Sequence, residues 1–241
     1  MKSKEILDHN IPITESFRMR GTDVTRLETF MDAAFAFAMT MLVISLGSLP
    51  KNYIELIDSL KEIPAFATSF FIIMLFWHSH RTWSRRYGLE NTSTIFLSIS
   101  LIFILLIYIY PLRLIFSTFF AFISDGWFPT KFQHNGISDL IGLFAIYGIG
   151  LFAIAGILSL LYLQALKNKT LLNLTHFEIN QTKVKISLLG IVAFTGLIAS
   201  ILALILPNFL GIQSGLIYLT LPISIAISNK FFAKRLKRLS N

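Results

Sequence analysis

The chain of 241 residues is 54% hydrophobic and 14% charged, with 23 phenylalanines and a mean hydropathy of +0.68, a composition that excludes an ordinary soluble domain and identifies an integral membrane protein. Its net charge of +8 would point to nucleic acid in a soluble protein, but the basic residues lie between apolar runs, where they orient a chain in a bilayer. The absence of cysteine excludes disulfides, thiolate metal sites and cysteine nucleophiles, and leaves the redox compartment open.

Residues 1 to 26 are polar and charged, with no apolar core or small-residue cleavage site, so the first span rather than a removable signal peptide is expected to direct insertion. Six charge-poor windows follow, at about 28 to 49, 60 to 83, 93 to 112, 138 to 166, 185 to 206 and 211 to 230. Each is long enough to cross the hydrocarbon once as a helix. Pro111 and Arg113 predict that the third span ends or kinks there, and the apolar run LIFSTFFAFISDGWFPT within residues 113 to 136 then reads as an interfacial or re-entrant helix. In the fourth span, Tyr147-Gly148-Ile149-Gly150 lacks the TVGYG surround of a carbonyl-lined filter. Gly142, Ala145, Gly148, Gly150, Ala153 and Gly156 are expected instead to let helices approach closely. The tail KFFAKRLKRLSN continues the last helix as a basic amphipathic turn, read as a stop signal and anchor or as a binder of anionic headgroups.

The segments between spans alternate in basic content. The N-terminal segment, the second-to-third loop, the fourth-to-fifth loop and the tail hold 17 of the 21 Lys and Arg, leaving Lys51, Lys61, Arg113 and Lys131 on the other side. The predicted fold is therefore an all-α integral membrane protein with six transmembrane helices and both termini cytoplasmic. Its domain layout is a cytoplasmic segment over 1–26, a transmembrane domain over 27–230 and a basic cytoplasmic tail over 231–241.

Asp32 stands inside the first span, where a carboxylate is tolerated only if it faces protein or water. It lies about 9 Å deeper than Arg26 at the helical rise. The second span runs the opposite way and ends at Arg85 and Arg86, which brings Trp77, His78 and His80 to a similar depth. Asp32 is expected to accept a hydrogen bond from His80 or the Trp77 indole, with Arg26 as its charge partner. His78 and His80 are two residues apart on different faces, so at most one joins Asp32. One carboxylate and one imidazole are too few for a metal centre; a structural clamp or a proton relay uses the same residues.

Ala33, Phe37, Met41 and Ile44 are spaced four, four and three apart, one continuous helical face, with the Thr40 hydroxyl close to it. The run Arg26-x-x-x-Phe30-Met31-Asp32, followed by AxFAFAMTMLVISL, resembles the R-x-x-x-F-S-D signature of the transmembrane protein 175 family, the endolysosomal potassium channel and its prokaryotic relatives. Phe76-Trp77-x-x-His80 is similar to that family's F-W-x-x-H stretch, and Tyr110-Pro111 closes the third span as a Pro does in many relatives.

The resemblance implies a six-helix subunit assembling as a homotetramer whose first helices surround a potassium-permeable pore in the plasma membrane, the inner membrane of a prokaryote. It implies a hydrophobic constriction in place of a TVGYG filter. By position this falls on Phe37, with Met41 and Ile44 as further rings and Thr40 as a selectivity hydroxyl. It also implies a structural network of Arg26, Phe30, Asp32, Trp77 and His80, no enzymatic activity, no cofactor, no resident metal and no nucleic acid, the partners being the lipid bilayer and the permeant potassium ions. Two residues depart from the pattern: Met31 replaces the motif's Ser, and Phe37 stands where relatives carry Ile or Leu. A proton-coupled transporter using Asp32 and His80 and a non-conducting membrane scaffold are the competing readings.

Overall fold

The computed structural model describes residues 13–14, 17–45, 47, 49–130, 132, 136–207 and 211–221, and five of its helices are long and apolar enough to cross a membrane. Thr25 opens helix α1 (Arg26–Ile44) by accepting the Glu28 N–H at 3.2 Å. The helix stops at Ser45, short of the predicted residue 49 and ahead of Gly47, whose φ of 103° suits glycine. Asn52 caps α2 (Tyr53–Lys61), a short helix the hydropathy reading passed over because it is mixed in polarity. Glu62 separates it from α3 (Ile63–Tyr87), in which Pro64 occupies the first turn, where no intrahelical N–H partner is lost. Gly88, at φ 56°, ends α3 by donating its N–H to the Ser84 carbonyl at 2.8 Å.

The expectation that the third span stops at residue 112 is corrected. α4 runs over Thr92–Ile123, 32 residues through Pro111, or about 48 Å at 1.5 Å per residue, longer than a hydrocarbon core of about 30 Å. Arg113 does not force an exit from the helix, because it is buried and satisfied inside the protein, and the following residues are apolar. The run after it therefore continues α4 to Ile123, and no separate re-entrant helix forms among the described residues there.

α5 (Ile137–Lys167) matches its window. α6 (His176–Ile205) begins nine residues before the predicted 185, because Thr175 and Glu178 form a reciprocal capping box that hydropathy does not register. Of the sixth predicted span, only residues 211–221 are described, including a 3-10 helix over Ile212–Leu219; residues 222–230 and the tail 231–241 lie outside the described residues.

The core sits between α1, α3, α4 and α5, with α6 packed along α5. Trp83 donates its indole N–H to the Leu161 carbonyl at 2.8 Å, joining α3 to α5, and Tyr87 shares a 2.7 Å hydrogen bond with Thr182 of α6. α5 and α6 approach through small residues: a Cβ on Gly196 would lie 2.6 Å from the Gly148 carbonyl oxygen, and Ser200 donates to the Ala145 carbonyl at 2.9 Å. Gly150 makes room for the Tyr108 ring, whereas Cβ atoms at Gly142 and Gly156 would meet nothing within 4 Å. The expected small-residue contact is thus concentrated at Gly148, Gly150 and their partners.

Gly196→Ala should lower stability by about 1–3 kcal/mol through overpacking against backbone, while Gly156→Ala should be neutral or raise it by up to about 1 kcal/mol through helix propensity. Thermal unfolding of the two purified variants in one detergent checks the contrast.

Candidate functional site

The site is built on α1, whose circumference divides cleanly. Met31, Phe35, Ala38 and Leu42 are fully buried against the bundle, while Phe37 is 55% and Ile44 60% exposed in the single chain. Ala33, Ala36 and Thr40 share the exposed side. The residues on each side recur at helical spacing, so one stripe is committed to the core and the opposite stripe is open. Of the three constriction candidates, Phe37 and Ile44 project from the bundle; Met41 sits at the border, half-buried and packed on the core. The Thr40 hydroxyl donates to the Ala36 carbonyl at 3.0 Å, keeping its lone pairs outward on the exposed face.

Asp32 lies on the flank between these stripes. The Trp77 indole of α3 donates to its Oδ1 at 2.7 Å, a charge-assisted bond that supplies the partner an acid in this segment requires. The Arg81 guanidinium stands 5.3 Å above the Trp77 ring, one turn along α3. The expected alternative donor, His80, makes no hydrogen bond to Asp32: it is buried between Phe35 and Trp83, with Nε2 3.1 Å from the Ser98 hydroxyl of α4. His78 faces away, 3.5 Å from Thr82. No ion pair joins Arg26 to Asp32 among the described residues, and Phe30 is exposed. Of the five residues expected to form one network, the structure brings together Asp32 and Trp77.

Both ends of α1 are tied by groups that the sequence reading did not single out. At its N-terminal end, a two-residue antiparallel pair, β1 (Ile13–Thr14) with β2 (Phe17–Arg18), leads into a strap laid across the bundle. Phe17 is fully buried, edge-on to Tyr87 at 5.6 Å and beneath the Arg86 guanidinium at 4.7 Å. Arg20 spans both oxygens of the buried Glu178 carboxylate at 3.1 and 2.8 Å and donates through Nε to the Leu172 carbonyl. The Gly21 N–H reaches the Arg85 carbonyl at 3.1 Å, so close to α3 that a Cβ there would lie 2.6 Å from the Ser84 carbonyl oxygen. The one available signal was Glu178 itself, a capping-box acid three residues after a Thr.

At the C-terminal end of α1, Arg113 of α4 pairs with Glu62 and donates to the Ser45 hydroxyl and the Leu42 carbonyl, the last turn of α1. The three interactions satisfy a guanidinium only 6% exposed. Its signal was a lone Arg inside an apolar run, taken above as a helix end.

The sequence model of the family described as the endosomal/lysosomal potassium channel TMEM175 matches residues 26–111, from the start of α1 into α4. A protein of Marivirga tractuosa named "Potassium channel" is 34% identical over 246 aligned residues, covering 98% of each chain. The crystal structure of a variant of the potassium channel MtTMEM175, in complex with a nanobody–MBP fusion protein, aligns with a TM-score of 0.81 and 31% identity, over 93% of this chain and 100% of that one. The likeness therefore extends past the first three spans, where the motifs lie, into α5 and α6.

Glu62→Gln alone should cost about 3–5 kcal/mol by leaving the buried Arg113 guanidinium without its carboxylate, and the double Glu62→Gln, Arg113→Met variant should cost less. A double-mutant cycle on unfolding midpoints measures the coupling.

Proposed function

We propose that this chain, which belongs to the TMEM175 family of potassium channels, conducts potassium passively as a homotetramer whose α1 helices surround the pore. The chain is a multi-pass membrane protein and a channel rather than an enzyme, and the chemistry it performs needs no cofactor, potassium being the permeant ion. Phe37 forms the narrowest ring, Ile44 a second ring two turns outward, and Met41 a partial one at the border of the face. Thr40 offers hydroxyl oxygen next to the constriction. Ions lose part of their hydration there, without a TVGYG filter, and an apolar ring of this kind gates by dewetting. The host is the plasma membrane, the inner membrane of a prokaryote.

The observation that carries this reading is the division of α1. In a membrane helix held firmly on one face, the uncovered stripe of Ala33, Phe37, Thr40 and Ile44 needs an occupant other than its own bundle. Copies of the same stripe around a central axis supply one. The Asp32–Trp77 bond supports a holding role for Asp32, since it crosslinks the flank of α1 to α3. A relay through an Asp32–His80 dyad has less support, because the imidazole is engaged with Ser98.

Purified protein in liposomes should pass potassium without a proton gradient. Phe37→Ala should raise that flux by about tenfold, corresponding to a barrier lower by about 1.4 kcal/mol, and reduce potassium over sodium discrimination. Unchanged flux would move the constriction to Ile44. Asp32→Asn should weaken assembly by about 1 kcal/mol, seen by size exclusion with light scattering, with flux per assembled channel unchanged. Normal assembly with altered pH dependence of flux would favour the relay.

A further inference from the structure

A groove lies between the first turns of α4 and the last turns of α5 and has a volume of about 440 Å³. Its two ends differ in chemistry. At the basic side of the bundle it is lined by Lys167, Gln164 and the hydroxyls of Thr92 and Ser93. One turn further into the apolar span its walls are Phe96, 70% exposed, and Leu160, 47% exposed. Lys167, exposed in the last turn of α5, joins no ion pair among the described residues. Glu90, which precedes Thr92 in the connecting turn, is exposed and does not line the groove.

We propose that this groove binds an anionic phospholipid of the basic-side leaflet, its phosphodiester held by Lys167 and the Thr92 and Ser93 hydroxyls and the upper part of an acyl chain laid between Phe96 and Leu160. Charge complementarity selects the occupant. A soluble anion would leave the Phe96 and Leu160 walls uncovered, and a zwitterionic lipid would leave the ammonium without a net counter-charge. Only an amphiphile with a negative head matches a cationic polar end that opens directly onto apolar walls facing the bilayer.

The test places a reporter in the groove of the full chain. Phe96→Trp protein is reconstituted with brominated phosphatidylglycerol or brominated phosphatidylcholine, and quenching is corrected for the native tryptophans with the parent protein. Phosphatidylglycerol is expected to associate about fivefold more strongly, the contribution of one cation near an anionic headgroup. Lys167→Gln should abolish that preference, and Lys183→Gln, an equal charge loss at an exposed position on the same side, should leave it intact. Equal quenching by the two lipids would overturn the proposal. So would an equal effect of the two lysine substitutions, which would assign the preference to overall surface charge. Absence of quenching by either lipid would overturn it as well, since the groove would then be covered by another copy of the chain.

Discussion

The packing of α1 on one side only is the constraint from which the rest of the structure follows. The helix is apolar around most of its circumference, yet only one stripe, Met31, Phe35, Ala38 and Leu42, is fully buried in the core. In water such a helix would be driven to bury every face; in lipid that drive is absent, and which face meets protein is set by shape, close contact and the few polar bonds that hold its rotation. Asp32 to Trp77 is one such bond. Rotating α1 by one residue, about 100°, would carry Asp32 away from the indole and place Phe37 against the bundle, so the carboxylate and the exposed stripe are coupled.

The ends of the helix are held by stronger electrostatics than its middle. Glu178 binds Arg20 near the N-terminal end of α1 and Glu62 binds Arg113 near its C-terminal end, and each pair also reaches backbone carbonyls. In a low-dielectric setting a buried guanidinium is tolerated only when its donors are used this fully. The arrangement spans the bundle: the N-terminal strap ties α1 to α3 and α6, and the Arg113–Glu62 pair ties it to α4 and the start of α3. An open face on α1 is compatible with a rigid subunit because the helix is fixed at both ends and along one flank.

How much of this was readable in advance varies residue by residue. The spans near 28, 138 and 93 were visible as apolar windows, and the motif with Asp32, Trp77 and His80 identified the family before any geometry was known. Opposite-running helices bring equal depths together, which places both His80 and Trp77 within reach of Asp32, and the structure gives the bond to Trp77. His80 was not resolved, because depth alone does not distinguish a neighbour on α1 from Ser98 on α4. Pro111 and Arg113 predict that the span ends or kinks, and the helix instead runs on, since a charge in an apolar run looks the same whether it leaves the membrane or finds a buried partner. α2 and the first turns of α6 were missed because they are set by caps and mixed polarity, not by hydropathy.

Residue order alone carries the membrane class, the approximate spans, the asymmetry of basic charge and the family motifs, because hydropathy, charge and spacing are properties of the chain taken one segment at a time. Which stripe of α1 is open, which imidazole meets which hydroxyl, and where Arg20 and Arg113 find their carboxylates depend on neighbours distant in sequence. Pore, lipid and protein interior all accept the same apolar side chains, so only the packed arrangement distinguishes a phenylalanine that faces the bundle from one that faces away.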